Sequence, residues 1–370
     1  MSTLPATMQA VLLMGHGGYD QLRYHDDVAV PQPAAGEVLV RVSACGLNNT
    51  DVNTRIGWYA SEVRGATTAE RTSEPAGEDG LVASGGWSDG LVFPRIQGAD
   101  VCGVVVGAGP DGVGSDLVGR RVLIDPWILD REAPHDLSRA RYFGSELDGG
   151  FAEYCVAPAA NVHPVISDLT DAELATFACS SVAAENMLSK GRVGPGDIVV
   201  VTGASGGVGT AALQLARARG AHVIAIASNT KSPALSRFGA DVVVDRAATD
   251  LGAAVRAASP TGQIDVLVDV VGGSMFEQLV PVLRQGGSYV TAGAIAGPIV
   301  EFDLRHLIYG DLRFEGATVC PPGTFARVVG HIEAGLLRPV LAATYPLAEL
   351  VAAQQAFVAK RHVGNIVVEI

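Results

Sequence analysis

The stretch VVVTGASGGVG, residues 199–209, decides how the middle of the chain folds. Its first four residues favour β-structure and run directly into a cluster of glycines. Apolar residues then recur at the spacing of one buried helix face. These positions are Val208, Ala211, Ala212 and Leu215. A second strand pattern, HVIAI at 222–226, follows. The stretch therefore predicts a strand, a tight turn, a helix and a second parallel strand.

The glycines of this turn favour a phosphate ligand. They let the backbone approach a pyrophosphate closely, and the free N–H groups at the helix N-terminus carry the positive end of the helix dipole. We expect a dinucleotide cofactor here, although a glycine turn in an α/β fold can also bind nothing. The residues predicted to contact the cofactor at this turn are Ala204, Ser205, Gly206, Gly207 and Val208.

Composition restricts the class of protein. A length of 370 residues with 48% apolar side chains suits two domains. With 39 acidic and 26 basic side chains the net charge is −13, which argues against nucleic-acid and membrane partners. No run reaches the ~18 apolar residues of a membrane helix and no signal peptide is evident, so we expect a soluble cytoplasmic protein. The five scattered cysteines predict reduced thiols.

The pattern of apolar and polar residues changes near residue 168. The first 160 residues contain short strand patterns separated by turn residues, at 8–13, 37–43, 100–106 and 121–124. Later residues alternate helix patterns with buried strands. A helix pattern covers 171–190, and buried strand patterns cover 241–244, 265–270 and 287–291. Strand-like segments return at the end, through 365–370. The fold class is therefore α/β, with a doubly wound parallel sheet inserted into a β-rich domain.

Two segments interrupt this plan. Residues 60–93 are rich in Gly, Ser and Glu and are too polar to form a core. Such a long loop is either a lid over the site or a disordered surface insertion. Residues 126–150 form a second irregular excursion.

Several motifs together resemble the medium-chain dehydrogenase/reductase superfamily, and within it the quinone oxidoreductase and enoyl reductase branch. In chain order they are GEVLVR at 36–41, CGLNNTD at 45–51, GADVCG at 98–103, VGRRV at 118–122, GGFAEY at 149–154, ASGGVG at 204–209, DVVGG at 269–273 and HVGNIV at 362–367. The resemblance implies a GroES-like catalytic domain at 1–162 and 322–370. It implies a Rossmann domain at 163–321.

The zinc-dependent alcohol dehydrogenases of this superfamily resemble the chain at the same places, so their ligand positions can be checked. Catalytic zinc needs three protein ligands and an open position. The corresponding positions hold Asn48, Ala99 and Cys179, of which only the cysteine is a good ligand. The cysteines of a structural zinc lobe are also missing from 126–150. We therefore expect no metal, and we expect Cys179 to be a core thiol.

Without a metal, developing negative charge must be stabilised by hydrogen bonds. Hydride addition to a C=C bond conjugated to a carbonyl places charge on the carbonyl oxygen. The segment NNTDVNTRIGWY, residues 48–59, resembles the enoyl reductase pattern Asn-x-x-Asp-x-Asn-x-x-x-Gly-x-Tyr. This implies Tyr59 as proton donor. Asn48 and Asp51 complete the predicted catalytic set. Alternatively, Asn48 and Asp51 cap a helix and Tyr59 is an ordinary rim aromatic.

The tip of the second strand indicates which cofactor binds. An NAD site places Asp or Glu there, but the tip reads IASNTK at 226–231 with no acid before Asp241. Ser228 and Lys231 can instead donate to a 2′-phosphate, which predicts NADPH. Alternatively, both belong to a solvated turn. Asn365 argues against NADPH, because related reductases often have lysine there.

Two further loops end predicted strands at the edge where ligands bind in open α/β sheets. The resemblance implies that the nicotinamide ring lies against their backbones. Alternatively, these loops only cap helices. The predicted residues are Val271, Gly272, Ala292 and Gly293.

Three functions remain compatible with the sequence. The leading one is an NADPH-dependent, zinc-free reductase of quinones, enones or other activated double bonds. The others are an alcohol or aldehyde dehydrogenase and a non-catalytic NADPH-binding protein. We also expect a homodimer, because 287–291 predicts an edge strand with the apolar flank 292–300.

Overall fold

The computed structural model describes residues 4–60, 62–74 and 91–370. The strands before the glycine turn are β1 Thr7–Leu13, β2 Leu22–Ala29, β3 Glu37–Gly46, β4 Arg95–Ile96, β5 Asp100–Ala108, β6 Arg121–Ile124, β7 Trp127–Ile128, β8 Arg141–Tyr142, β9 Tyr154–Pro158 and β10 Val162–Pro164. Those of the middle segment are β11 Ile198–Val201, β12 His222–Ala227, β13 Val242–Asp245, β14 Ile264–Asp269, β15 Leu283–Thr291 and β16 Arg313–Gly316. The last two are β17 Leu341–Pro346 and β18 Asn365–Glu369.

Helices connect and cover these strands. They are α1 Asn49–Arg55, α2 Ala69–Ser73, α3 Asp171–Leu174, α4 Ala178–Lys190, α5 Gly207–Ala218, α6 Ser232–Arg237, α7 Leu251–Ala258, α8 Ser274–Leu279, α9 Leu304–Gly310, α10 Thr324–Glu333 and α11 Leu350–Val358. Both the strand–turn–helix unit around residue 203 and the following strand agree with the sequence prediction.

The middle strands form one six-stranded sheet in the order β13-β12-β11-β14-β15-β16, with every neighbouring pair parallel. This is the strand order of a doubly wound dinucleotide-binding fold, in which strands are added first to one side of β11 and then, from β14 onward, to its other side. The central strands are buried on both faces, as their continuous runs of Val and Ile require. The predicted parallel sheet is confirmed.

The remaining strands form a β-rich lobe. Its main sheet has the order β10-β6-β5-β3-β18-β17, and β9 pairs with β3. The C-terminal strand β18 lies antiparallel to β3, so the chain returns to the lobe in which it started. The parallel sheet is therefore an insertion, as the composition of the two chain ends predicted.

The prediction that residues 287–291 form an edge strand is wrong. Strand β15 contains residues 287–291, but it is paired on both sides, with β14 and β16. Strand β16 is therefore the edge strand of the parallel sheet. Its four residues, RFEG, are too short a pattern to stand out in the sequence.

The predicted single helix over 171–190 is two helices. Thr170 and Glu173 form a capping box at the start of α3, which ends at Leu174. The helix restarts at Ala178, where the Asp100 carboxylate accepts the backbone N–H of Cys179. The break directs this N–H toward the β-rich lobe, so α4 joins the two lobes.

Helix α10 also packs against α4. Phe325 and Val328 of α10 share a buried cluster with Leu188 of α4. The same cluster includes Cys102 from the β-rich lobe and Val199 from the parallel sheet, so the apolar core is continuous between the lobes. The division of the chain near residue 322 remains a prediction.

Candidate active site

The glycine turn joins β11 to α5 and requires glycine at two positions. Gly203 has φ +55°, in the left-handed region that other residues rarely adopt. At Gly209 a Cβ atom would lie 2.4 Å from the Gly203 carbonyl oxygen, so the helix can pack against the turn only without a side chain there. Helix α5 begins at Gly207 and its first N–H groups have no partner within the helix.

The turn fits the pyrophosphate of a dinucleotide. A Cβ at Gly207 would lie 2.2 Å from Asn365 Oδ1, so the helix N-terminus is approached closely by the C-terminal segment. Gly364 donates its N–H to the Ser205 carbonyl at 2.8 Å, and Gly206 and Gly364 form a β-bridge. We call the glycine turn and the start of α5 the phosphate cradle. Residues 364–365 of the other lobe form one side of it.

The predicted cofactor residues lie at one edge of the parallel sheet. They follow the carboxyl ends of β11, β12, β14 and β15, which point the same way. Asp269 fixes this edge: its carboxylate accepts from Tyr289 Oη at 2.9 Å, from the Val271 N–H at 2.9 Å and from Thr202 Oγ1. Thus Val271 and Gly272 are placed by a buried carboxylate, and the Ala292 N–H donates to the Asp269 carbonyl.

The tip of β12 differs from the expectation for a free phosphate site. Lys231 Nζ donates to Ser205 Oγ at 3.1 Å and to the carbonyls of Lys360 and His362 at 2.9 and 2.7 Å. An ammonium has three donors, so all of them are used within the protein. Ser228 Oγ lies 3.0 Å from Thr230 Oγ1. Lys231 therefore ties the C-terminal segment to the glycine turn.

A carboxylate that the sequence reading overlooked lies beside this tip. Asp245 ends the neighbouring strand β13 and accepts from Asn229 Nδ2 at 2.7 Å and from the Ala247 N–H at 3.0 Å. Arg246 lies close enough to lower the pKa of Lys231, after the larger lowering effect of burial. The tip thus carries charges of both signs.

On the other side of the cleft, Asn48 and Asp51 form the N-terminal cap of α1. The Asn48 N–H donates to Asp51 Oδ2 at 2.7 Å, and the Gly98 N–H donates to Asp51 Oδ1 at 3.2 Å. Burial, followed by the nearby Asp100 carboxylate among the raising effects, raises the pKa of Asp51 to about 7. The alternative interpretation, that Asn48 and Asp51 cap a helix, therefore agrees with the backbone hydrogen bonds at the start of α1.

The Asn48 amide faces Asp100. Asn48 Nδ2 and Asp100 Oδ2 are both buried, and neither makes a well-formed hydrogen bond. The amide is nevertheless near enough to lower the pKa of Asp100, against the larger effect of burial, which raises it to about 7. Asn48 therefore has a donor that the protein does not fully satisfy.

Cys179 is more than a core thiol. It is half-buried, and its Sγ accepts a hydrogen bond from Tyr142 Oη at 2.9 Å. Burial and the Asp100 carboxylate raise the pKa of the Cys179 thiol well above its usual range. Tyr142 belongs to the irregular segment at 126–150, where β7 and β8 form a small hairpin.

Tyr59 follows α1 and is half-buried beside Cys179 and Asp51. Burial raises the pKa of its phenol, the Asn53 side chain opposes this, and Cys179 and Asp51 add to it. The phenol therefore stays protonated, as a donor must. Thr67 Oγ1 donates to Asn53 Oδ1 at 3.0 Å.

Part of the polar insertion packs over this side of the cleft. Trp58 Nε1 donates to the Gly65 carbonyl at 3.0 Å, and the Thr67 N–H donates to the Ile295 carbonyl at 3.0 Å. Residues 62–68 therefore bridge α1 and the loop after β15. The lid interpretation of 60–93 also covers residues 61 and 75–90, which lie outside the described part of the chain.

The side chains at the expected zinc-ligand positions, Asn48, Ala99 and Cys179, do not fit a catalytic zinc ion. Of the three ligand positions only Cys179 carries a donor of the right kind, whereas a catalytic zinc ion needs three protein ligands. Within residues 4–60, 62–74 and 91–370, no three His, Cys, Asp or Glu side chains are arranged to hold a metal.

Besides Asp245, sequence reasoning missed three residues that shape the site. Tyr142 had no signal, because its contact with Cys179 joins positions 37 residues apart. Asp100 entered the sequence analysis only as a neighbour of Ala99, which stands at a zinc-ligand position. Asp269 entered it only as the end of a predicted strand. All three act through long-range hydrogen bonds that strand and helix periodicity does not encode.

A glycine turn at the ligand edge of a parallel sheet, faced across a cleft by polar donors of a β-rich lobe, defines a two-lobed dinucleotide oxidoreductase. Comparison with known families agrees. Residues 34–167 match the model of the alcohol dehydrogenase GroES-like domain, and residues 207–334 match that of the zinc-binding dehydrogenases. The chain belongs to the medium-chain dehydrogenase/reductase superfamily.

Individual relatives carry different activities. A crystal structure of a candidate alcohol dehydrogenase from Sinorhizobium meliloti 1021 is 46% identical, covers 100% of this chain and 98% of its own, and has a TM-score of 0.87. An NAD-dependent alcohol dehydrogenase from Sulfurisphaera tokodaii is 25% identical over 88% of this chain and 90% of its own. An acryloyl-coenzyme A reductase from Metallosphaera sedula is 25% identical over 97% and 99%.

Among the helices that the structure describes, none combines the length and apolar character needed to cross a membrane.

Proposed function

We propose that the protein is a zinc-independent, NADPH-dependent reductase of enones, quinones or other activated double bonds. One observation carries the proposal: the positions of a catalytic zinc ion hold Asn48, Ala99 and Cys179, so two of the three ligands are missing, and the Asn48 amide is a buried donor at this place. Such a group cannot act as a Lewis acid. It can stabilise an oxyanion.

The proposed reaction begins with hydride, which the nicotinamide supplies when bound, adding to the β-carbon of an enone. The resulting enolate oxygen needs fixed donors. Asn48 Nδ2 offers one, because the amide is buried without a full partner. Tyr59 acts as general acid: its O–H proton passes to the α-carbon of the enolate, and the phenolate left behind regains a proton from water. A quinone needs less help, since water can protonate its reduced oxygens.

Asp51 and Asp100 do not face the reacting atoms in this proposal. Asp51 accepts backbone N–H groups from Asn48 and Gly98, and Asp100 accepts that of Cys179. Both are positioning residues: they set the direction of the Asn48 amide and the start of α4. The predicted catalytic role of Asp51 is thus restricted to holding Asn48.

NADPH remains the proposed cofactor. The end of β12 has no carboxylate of its own, and Lys231 and Arg246 supply positive charge there. Asp245 on the neighbouring strand opposes a 2′-phosphate, although its oxygens already accept two hydrogen bonds. The expected preference for NADPH over NADH is therefore modest.

The alternative function is an alcohol dehydrogenase, which the Sinorhizobium and Sulfurisphaera relatives favour by name. Metal analysis combined with a substrate panel separates the two. Our proposal expects NADPH oxidation with enones or quinones that persists after chelation. A stoichiometric zinc ion that is lost together with alcohol oxidation supports the dehydrogenase instead.

We further propose a homodimer through the edge of the parallel sheet. Helix α9 presents Leu304, Ile308 and Tyr309, each more than 60% exposed, beside the edge strand β16 with Phe314. Exposed apolar side chains next to an open strand edge favour self-association. Light scattering should give twice the chain mass of 38.1 kDa, and Tyr309→Asp should shift the mass toward one chain. A single-chain mass for the unaltered protein contradicts the dimer.

A further inference from the structure

Lysine is rare in this chain, and its placement is uneven. There are only three lysines, Lys190, Lys231 and Lys360, against a total of 26 basic side chains. Two of them meet beside the glycine turn, where Lys231 Nζ donates to the Lys360 carbonyl and to Ser205 Oγ. The remaining one, Lys190, lies at the end of α4 and donates to the Gly316 carbonyl.

Lys360 is held in place from both ends. Its backbone has φ +52°, just after α11, and its carbonyl is fixed by Lys231. Its Nζ donates to Asn49 Oδ1 at 3.0 Å and lies 3.7 Å from the centre of the Phe357 ring. The ammonium therefore stands between the start of α1 and the glycine turn, packed on Asn49 and Phe357, although the residue as a whole is exposed.

The surroundings of this ammonium are positive or neutral. The titratable groups beside it are Lys231 and His362, and its other contacts are an amide and an aromatic ring. Within the described ranges no ion pair joins Lys231, Lys360 or His362 to a carboxylate. Burial of the ammonium group, followed by the positive charge of Lys231, lowers the pKa of Lys360.

His362 responds to the same charges. Burial, then Lys360 and Lys231, lowers the pKa of its imidazole to about 4, so the ring is neutral at pH 7. Holding two ammonium groups together without a counter-charge is unfavourable in the free protein. The arrangement becomes favourable once an anion arrives.

We propose that Lys360 binds the pyrophosphate of the nicotinamide cofactor, with Asn49 holding its ammonium at the phosphate cradle. The inference rests on the proposed function and names a residue for its cofactor site. Two features place the anion within reach: Gly364 bridges to Gly206, and α5 begins at Gly207. Asn365 stands where lysine was expected, and Lys360 restores that positive charge from five residues earlier.

Titration of NADPH and NADH fluorescence tests this. Lys360→Gln should weaken both cofactors by the same factor, roughly 10- to 100-fold, as expected for loss of one hydrogen bond to a charged group. Lys360→Arg should recover most of the affinity, because it keeps the charge. Arg361→Gln is the matched control: it removes an equal charge from the adjacent exposed side chain and should change little.

The outcomes separate the proposals. Unchanged affinity in Lys360→Gln overturns the inference, and a loss confined to NADPH overturns it by assigning Lys360 to the 2′-phosphate. If the unaltered protein binds neither NADPH nor NADH, the proposed function itself fails.

A second measurement needs no variant. Reductive methylation at neutral pH, followed by peptide mass spectrometry, reads all three lysines separately. NADPH should slow modification of Lys360 at least severalfold and leave Lys190 as an internal reference. Equal modification of Lys360 with and without saturating NADPH overturns the inference.

Discussion

The two sides of the cleft are built in different ways. The centre of the cofactor side is one continuous segment, a strand, a glycine turn and a helix, and it offers backbone N–H groups at the start of α5. The substrate side collects Asn48, Tyr59, Asp100, Tyr142 and Cys179 from four separate parts of the chain. The cofactor side is therefore sensitive to added volume, and the substrate side to the loss of single donor atoms.

The largest expected effect lies on the substrate side. Tyr59→Phe keeps the ring and removes the donor, so enone turnover should fall by about 10²- to 10⁴-fold while NADPH affinity stays nearly unchanged. Steady-state rates with an enone and fluorescence titration of NADPH check both halves.

A quinone provides the internal control for Tyr59→Phe, because its reduction should depend less on a protein acid. Wild-type enone turnover in the variant, with chemistry limiting the rate, removes Tyr59 from the mechanism.

The cofactor side should show the opposite pattern. Gly209→Ala places a Cβ 2.4 Å from the Gly203 carbonyl oxygen, and relieving this clash should cost roughly 1–3 kcal/mol of unfolding free energy. NADPH affinity should fall with it, since the turn must shift. Urea unfolding and cofactor titration measure the two effects.

Gly330→Ala is the matched control for Gly209→Ala. Gly330 lies inside α10 and is exposed, and a Cβ there meets nothing within 4 Å. Replacing a helical glycine by alanine should stabilise the fold by about 0.5–1 kcal/mol. Equal destabilisation by both substitutions contradicts the close-packing explanation.

The buried carboxyls of the substrate side predict a pH dependence of stability. The pKa values of Asp51 and Asp100 are raised to about 7, well above about 4 in an unfolded chain. Between these values the folded state binds more protons than the unfolded state, so stability falls as pH rises from about 4 to 7. Each proton contributes at most about 1.4 kcal/mol per pH unit.

Asp100→Asn removes one of these groups and its repulsion of Asp51. The fall in urea midpoint between pH 5 and pH 8 should therefore become shallower in Asp100→Asn. Parallel midpoint curves for the variant and the unaltered protein rule out Asp100 as a source of the slope.

The smallest effect concerns cofactor preference. NADPH should bind about 10-fold more tightly than NADH, which corresponds to about 1.4 kcal/mol. Because all three donors of Lys231 are used inside the protein, Lys231→Ala should weaken both cofactors together. Fluorescence titrations decide this: a loss confined to NADPH shows that Lys231 leaves these contacts to meet the 2′-phosphate.

The cofactor side was predictable because its structure is local. The period-2 and period-3.6 patterns around residues 199–226 encode the strand, helix and second strand, and the glycines encode the turn. The predicted ends of β6 at 121 and 124 agree with the structure. The split between α3 and α4 was not predictable, because it depends on a carboxylate 79 residues away.

The substrate side was predictable only through resemblance to a family. The pattern over 48–59 singled out Asn48 and Tyr59 as candidates, which remain predictions, but no periodicity reports that Tyr142 reaches Cys179 or that Asp100 faces Asn48. The hydrogen bonds of Lys231 within the protein were not predictable for the same reason, and its predicted contact with the cofactor stays a prediction. Its partners at 360 and 362 are more than 120 residues distant in sequence.

The most direct test of the central claim is single-turnover hydride transfer from NADPH to an enone by protein stripped of metal with a chelator. We predict a fast loss of NADPH absorbance in one turnover, unchanged when zinc is added back. No transfer until zinc is restored would contradict a reductase that relies on Asn48 and Tyr59 for charge stabilisation.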